Sequence, residues 1–591
     1  MKKNTKKLLA LLLSMAMVFG LLAGCGDPAP SGSNPSGGNP VDPADDPLIN
    51  NEETIKLTIF SQTANWSGAQ TGWGATLLKD LFNVELNIIP DTDGAYQTRM
   101  EKGDLGDIVV WGSNGDEYAN AVKAGLLFDW EDEDLLDNYG QYIKETFPKA
   151  LEANREISGD GHVYGTGYSL TDKAGQHDTF IYDWGIRWDL YQQLGYPEVK
   201  DLDGMVDLLA QMKELCPTGD DGKSTYGVSI WSAWDGNMAM YPKALASAYY
   251  GYDELGYGLY NSANGEFYDC LDPNGPYVEA LRFFNKLYQK GLLDPDSMTQ
   301  TYENMMAKTT NGNVFFSIFD YAGSQLFNTQ KHVDENKFMA PLVPTDASVI
   351  VYGLSEGGND RIWSIGANTL YPEKCMQIIN WLHTPEGAMT IWYGIKGLMW
   401  DYDENGGTYF TDLGRTCYFA PTTDLTGTAW TSPYTGKQYT LDGTFNDGKI
   451  QANNITWGFG AENPDSAAGE CFHYSTWQSF LGEAQNDTEK DWREHVGADG
   501  TQAYMNTVTF TTVPVVSTYH EPPREAELDL KWNQVKTTVV NGSWNAMYAK
   551  SDAEFDSIVS QMKTDADAYG YEDCVTWCRE RAAEKFALQN G

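Results

Sequence analysis

Apolar positions recur along the chain in two rhythms, and the switches between them predict its elements. Residues Thr54–Phe60 alternate polar and apolar side chains as a half-buried strand does. Trp73–Phe82 has helical spacing, Val84–Ile89 is a second strand closed by Pro90, Tyr96–Lys102 is helical, and Asp107–Trp111 is a buried strand. This strand–helix order predicts a parallel sheet with right-handed crossovers. Ligands of such sheets sit beyond the carboxyl ends of the strands, here at residues 61–72 and 112–117.

A second unit follows. Helices are expected over Trp184–Leu194 and Leu202–Cys216, and a strand over Tyr226–Trp231. Tyr277–Lys290 predicts an amphipathic helix stopped by Gly291, and Asn313–Phe319 a buried strand. Glu373–Trp392 is helical with a break at Pro385, and Tyr402–Asn454, rich in Gly, Thr and Tyr, reads as hairpins and long loops. Helices return over Ala553–Tyr569 and Glu572–Leu588, and no internal repeat is present.

The N-terminus sets an address. Met1–Lys7 is basic, Leu8–Ala23 is apolar, and Leu22-Ala23-Gly24-Cys25 resembles the bacterial lipobox. Residues 1–24 are therefore expected to be a lipoprotein signal peptide, with Cys25 lipidated and two or three acyl chains anchoring the mature chain to the outer face of the cell membrane. Residues 25–53, dominated by Pro, Gly, Ser, Asn and Asp, read as a flexible linker. Its reach is on the order of 30 Å.

Composition narrows the partners. Lys and Arg number 40 against 83 Asp and Glu, for a net charge of −43. Such a surface repels phosphate backbones, so no nucleic acid is expected. The 19 Trp, 35 Tyr and 23 Phe demand a folded core. Beyond Cys25, the seven cysteines (Cys216, Cys270, Cys375, Cys417, Cys471, Cys574 and Cys578) have neither redox nor zinc spacing and are read as free thiols.

Several segments in order resemble the extracellular solute-binding proteins of ABC importers, in the large bacterial lipoprotein branch that captures carbohydrates. They are Gly103-Asp-Leu-Gly-Asp-Ile-Val-Val110, with Gly106 where that family has Pro, Gly161-His-Val-Tyr-Gly-Thr-Gly167, and Ile186–Gly195. Leu287-Tyr-Gln-Lys-Gly-Leu-Leu-Asp-Pro-Asp296, Ile379-Asn-Trp-Leu-His-Thr-Pro-Glu-Gly387 and Gly394–Asp403 continue the series. The resemblance implies a periplasmic-binding-protein-like α/β fold with two lobes, a hinge and a ligand cleft between them. Lobe 1 is expected from 54–170 with about 345–425, and lobe 2 from 175–340 with about 426–591. It further implies a monomeric, non-catalytic receptor that hands an oligosaccharide to a membrane permease, with no cofactor.

A sugar needs flat aromatic faces for its C–H surfaces and carboxylates or amides for its hydroxyls. Pairs of that kind near strand ends are Asn65 and Trp66, then Trp111 with Asn114 and Asp116. In the second unit they are Trp231, Trp234 and Asp235, and Asp320 with Tyr321, while Tyr164 and Tyr168 lie near the expected crossing. Competing chemistry is thin. Gly443–Lys449 fits a phosphate loop, but Ile450 occupies the Ser/Thr position. Asp401–Asp412 mimics a calcium loop but ends in Asp among Gly and Thr, so a hairpin is expected and no metal. A secreted glycoside hydrolase, which needs two paired carboxyls, and a binder of peptide or another nutrient are the alternatives.

Overall fold

In the computed structural model, which describes residues 53–590 apart from Asp93 and Glu483, the alternation in Ile55–Ser61 has its expected effect. Ile55, Leu57 and Ile59 are buried while Lys56 is exposed. The signal peptide, Cys25 and nearly all of the linker lie outside the described residues. This strand is central in a six-stranded sheet. The order is Gly68–Ala69, Val84–Pro90, Ile55–Ser61, Ile108–Trp111, Asn359–Ile365, Thr166–Tyr168. Ile55–Ser61 runs parallel to Val84–Pro90, from Ile55 opposite Val84 to Ser61 opposite Pro90, and parallel to Ile108–Trp111. Helices Gly72–Phe82 and Ala95–Lys102 make the crossovers. Gly106 has φ +101°, and a Cβ there would lie 3.1 Å from the Thr58 carbonyl oxygen, so the tight entry into Ile108–Trp111 requires glycine.

A smaller antiparallel sheet has Tyr182–Arg187 between Phe316–Phe319 and Met339–Pro341. Here two expectations are corrected. Trp184–Arg187 is strand, and the helix begins only at Trp188, because every residue of Tyr182–Arg187 is buried between packed layers. Residues 226–231 form no regular strand; they are extended and bridge Val314 from Tyr226 and Leu293 from Val228.

Each sheet has its own core. Residues from Phe180 to Val351 are buried with others from Trp492 to Ala582. The larger sheet buries Trp73 and Trp363 on the side covered by Ile450, Ala452, Trp457, Phe472 and Trp477. Residues 426–477 therefore pack with the first lobe, not the second as expected. Gly448 shows why: a Cβ on it would lie 2.0 Å from the Trp73 ring, so the second glycine of the phosphate-loop lookalike serves packing. Thr444 and Asp447 cap its single helical turn reciprocally.

The chain passes between the cores after Leu170, again after Tyr352, and a third time between Trp477 and Trp492. Val349–Tyr352 pairs in parallel with Phe510–Val513 beside the second passage. The Asp401–Asp412 segment is a hairpin, Trp400–Tyr402 against Thr408–Phe410. The Asp403 carboxylate accepts from the Asn405 and Gly407 amides at 2.7 and 2.9 Å. The seven cysteines beyond Cys25 are free, five of them buried, and burial pushes the Cys270 and Cys578 thiols up. No helix among the described residues is long and apolar enough to cross a membrane.

Candidate functional site

Trp231, Trp234 and Tyr302 form a cluster of rings at the end of the extended 226–231 segment. Trp231 is wholly buried. It stands edge-on to Trp234 at 5.0 Å and to Tyr241 at 5.1 Å. Trp234 rests on that support with half of its surface open to solvent. Its ring lies 4.8 Å from Tyr302 and 6.4 Å from Tyr321, and those two tyrosines are 6.4 Å apart. Three rings thus make a platform with an accessible apolar face. Asp235 does not face outward; its carboxylate accepts from Trp544 Nε1 at 2.7 Å and the Met240 amide at 2.8 Å, which fixes the Trp234 loop. Tyr302 was not singled out by sequence. It opens helix Tyr302–Thr310, and Thr301 as the N-cap residue was its available signal.

The platform continues into acids. Tyr321 follows Asp320, whose carboxylate accepts from the Tyr321 amide at 2.6 Å and from Gln325 Nε2 at 3.0 Å. On the neighbouring strand, Asp183 accepts from Ser324 Oγ at 2.9 Å and the Gly185 amide at 3.2 Å. Burial raises Asp320 to about 7. Burial, and then the charge of Asp320, pushes Asp183 well above the usual carboxylate range. Both acids line a cavity of about 510 Å³ whose opposite wall, from the first lobe, includes Arg415, Phe419 and Tyr474. That volume is within the range of small-ligand sites.

From the platform, rings and ion pairs lead to the crossings. Tyr182 lies 5.4 Å from Phe319. The half-exposed Tyr352 donates its hydroxyl to Asp253 at 3.1 Å, and Lys585 pairs with Asp253 at 3.2 Å. At the first crossing the Arg361 guanidinium sits over the Tyr168 ring at 4.9 Å.

The other residues named from sequence are placed elsewhere. Trp111 is fully buried: its indole donates to Ser364 Oγ at 3.2 Å and its ring meets Tyr96 and Tyr118 edge-on. The residue ends its strand, yet its side chain points into the sheet's helix-covered face, so it is a core residue. Asn114 is also buried and donates to the Ser517 and Tyr519 carbonyls at 3.4 and 3.2 Å, tying the strand-end loop to the segment after Phe510–Val513. Asp116 is exposed in the first turn of helix Asp116–Lys123, where its negative charge interacts favourably with the positive end of the helix dipole. Trp66 is half-buried against the first core with its indole donating to the Ala69 carbonyl at 3.1 Å, and Asn65 beside it is exposed. Tyr164 donates to Asp160 at 2.9 Å. Among these, the structure brings together Trp231, Trp234, Asp235, Asp320 and Tyr321.

A family model described as bacterial extracellular solute-binding protein matches residues 78–399. The chain belongs to this family. It is similar to lipoprotein LipO of Bacillus subtilis, at 26% identity over 215 residues covering 36% of this chain and 39% of LipO. It is equally similar to the fructooligosaccharide-transporter binding protein FusA of Streptococcus pneumoniae, at 26% over 214 residues covering 35% of this chain and 38% of FusA. The match thus spans under two fifths of each curated relative. Solved structures agree over far more of the chain. The alginate-binding protein AlgQ2 aligns with TM-score 0.54 at 15% identity, over 91% of this chain and 99% of that one. A human-milk-oligosaccharide-binding protein of Bifidobacterium longum infantis gives 0.52 at 13%, over 90% and 99%. FusA with kestose gives 0.51 at 16%, over 90% and 100%. The periplasmic-binding-protein-like fold is thereby shown.

Proposed function

We propose that the protein is the lipid-anchored receptor of an ABC importer, capturing an uncharged oligosaccharide between its lobes and delivering it unaltered to a membrane permease. The half-exposed Trp234, braced by buried Trp231 and flanked by Tyr302, Tyr321 and Asp320, carries this reading. Flat rings beside hydrogen-bonding acids match the two faces of a sugar. Closure of two rigid lobes about the passages near residues 170–180 and 352–358 would enclose the ligand. The relative named for fructooligosaccharide and the neighbour named for milk oligosaccharides support the ligand class.

A glycosidase would need one raised acid beside an ionised partner. Asp183 is held by Ser324 and the Gly185 amide, and the fate of the recovered ligand decides between the two readings. The test is a thermal-shift screen with fructo-, malto-, milk and mannosyl oligosaccharides, followed by chromatography of the recovered ligand. A binder shows a raised melting temperature, about 2.7 kcal/mol of added stability at a hundredfold excess over Kd, and returns the glycan intact. Released shorter sugars, or no shift with any glycan, would refute it. The anchor is tested separately: Cys25→Ser should move the protein from the membrane fraction to the medium, and retention with acylation would exclude Cys25 as the lipid site.

A further inference from the structure

The segment that carries Trp231 and Trp234 leaves its ladder before it reaches those rings. As far as Val228 it is held by backbone: the Val228 amide donates to the Leu292 carbonyl at 3.1 Å, and the Val228 carbonyl accepts from the Asp294 amide at 2.9 Å. From Ser229 onward side chains take over, and they come from one turn, residues 294–300. The Ile230 amide donates to Ser297 Oγ at 3.1 Å, and the Ile230 carbonyl accepts from Gln300 Nε2 at 2.6 Å. Ile230 is thus gripped on both of its backbone polar groups. Gln300 Nε2 also donates to Ser229 Oγ at 2.7 Å, while that hydroxyl donates to Asp294 Oδ2 at 2.6 Å. Lys308 completes the network by donating to Asp294 at 2.6 Å. Asp294 and Ser297 are wholly buried, and Ser229 and Gln300 nearly so.

The orientation of Gln300 is forced. Both groups beside its Nε2 are acceptors there, since the Ser229 hydrogen goes to Asp294. Reversing the amide would set Oε1 against the Ile230 carbonyl. The side chain keeps its donor on the loop although its own Oε1 has no partner among the described residues, and a buried acceptor left unpaired costs stability. Two residues beyond Gln300 comes Tyr302, whose ring stands 4.9 Å from Trp231 and 4.8 Å from Trp234. The far end of the tryptophan loop is fixed elsewhere, by Asp235 on Trp544 and the Met240 amide. The bonds from Ser297 and Gln300 to Ile230, with one from Ser232 Oγ to the Met298 carbonyl at 3.0 Å, join the two ring-bearing segments to each other. We propose that Ser297 and Gln300 are positioning residues of the platform: by clamping Ile230 they set the spacing of Trp231 and Trp234 from Tyr302, and ligand affinity depends on that spacing. The inference rests on the sugar-binding reading above, and it needs no contact between either residue and the ligand. Stacking is sensitive to such spacing, because a gap of about 0.5–1 Å already forfeits roughly a quarter to a half of each atomic contact.

Calorimetry on the full chain with kestose, maltotriose, mannotriose and lacto-N-tetraose tests the clamp through a cycle of wild type, Gln300→Met, Trp234→Ala and the double variant. Met is close to Gln in length and cannot donate. Gln300→Met should weaken the bound glycan about tenfold in the wild-type background but by less than about twofold when Trp234 is already Ala, because its effect passes through that ring. Trp234 is the only exposed tryptophan among the described residues, which gives a readout without ligand. The near-ultraviolet circular dichroism that Trp234→Ala removes should be reduced in Gln300→Met as well. Ser297→Ala frees the Ile230 amide and should repeat both results, which keeps the test open if Gln300→Met fails to fold. Equal losses in the two backgrounds would make the clamp a feature of the fold alone, and full affinity in both clamp variants would remove it from binding. Either result, with the wild type binding a glycan, overturns this inference and leaves the sugar reading standing. A wild type that binds none of the four sugars overturns the sugar reading, and the role of the clamp in affinity with it.

Discussion

Trp234→Ala should lower affinity for the bound glycan by about thirtyfold or more while moving the melting temperature of the ligand-free protein by only a degree or two. The two effects separate because of where the ring sits. Half of it is exposed, so removing it opens no cavity in the core and forfeits little burial. Its supports, Trp231 and Tyr302, remain packed against Tyr241 and each other. In the complex the same ring would be covered, and a covered aromatic anchor at the centre of a site typically contributes 2 kcal/mol or more, which is a factor of about thirty and upward. Titration calorimetry and thermal melts on one preparation give both numbers. Unchanged affinity would remove the platform from the site. Trp111→Ala is the instructive contrast: its fully buried indole, bonded to Ser364, predicts a loss of about 3–5 kcal/mol of stability.

That contrast shows how much of the site could be read from sequence. Proximity to a strand end is visible in the order of residues, and both tryptophans have it. Which face of the strand end a side chain takes is set by the sheet's two covering layers, and those are long-range. Alternation carries the information only where one face is wet; Ile108–Trp111 is buried on both faces, so its pattern is uniform and gives no direction. Strands and helices of the first lobe were legible because propensity, punctuation and periodicity agreed in them. Helix Ala526–Met547 was not. Its Thr537-Thr538-Val539-Val540 run and Gly542 oppose helix locally. Packing overrides them: Trp532, Val535, Val539 and Met547 are buried at helical spacing, and Gly542 sits where a Cβ would meet Met562 at 2.5 Å. The placement of residues 426–477 failed for a similar reason. Loop-rich segments have no periodicity to reveal a partner, and their attachment to the first lobe is made by scattered side chains such as Trp457, Phe472 and Trp477 and by the fit of Gly448 against Trp73.

Acidity offers the second large effect. Stability should fall between about pH 4 and pH 7 more steeply in the wild type than in Asp320→Asn. In the unfolded chain an aspartate titrates near 3.9, whereas in the fold Asp320 is raised to about 7, chiefly by burial. Over that interval the folded state holds a proton that the unfolded state has released, so unfolding releases it and rising pH favours unfolding. The stabilising contribution is complete below the unfolded value and lost as pH rises through the folded one. By linkage, roughly three pH units at 1.36 kcal/mol each set an upper bound of about 4 kcal/mol for this group. Asn cannot ionise and keeps its Oδ1 as acceptor for the Tyr321 amide, while its Nδ2 replaces the oxygen that accepts from Gln325, so its curve should sit at a different level but lack this pH-dependent component. Asp183 is shifted the same way, partly by the charge of Asp320, so the variant should also ease ionisation of Asp183. Denaturant titrations at pH 4.5, 6 and 8 measure the difference directly. Parallel curves for the two proteins would mean that solvent reaches Asp320 freely, and the paired-acid wall of the cavity would then be open to water.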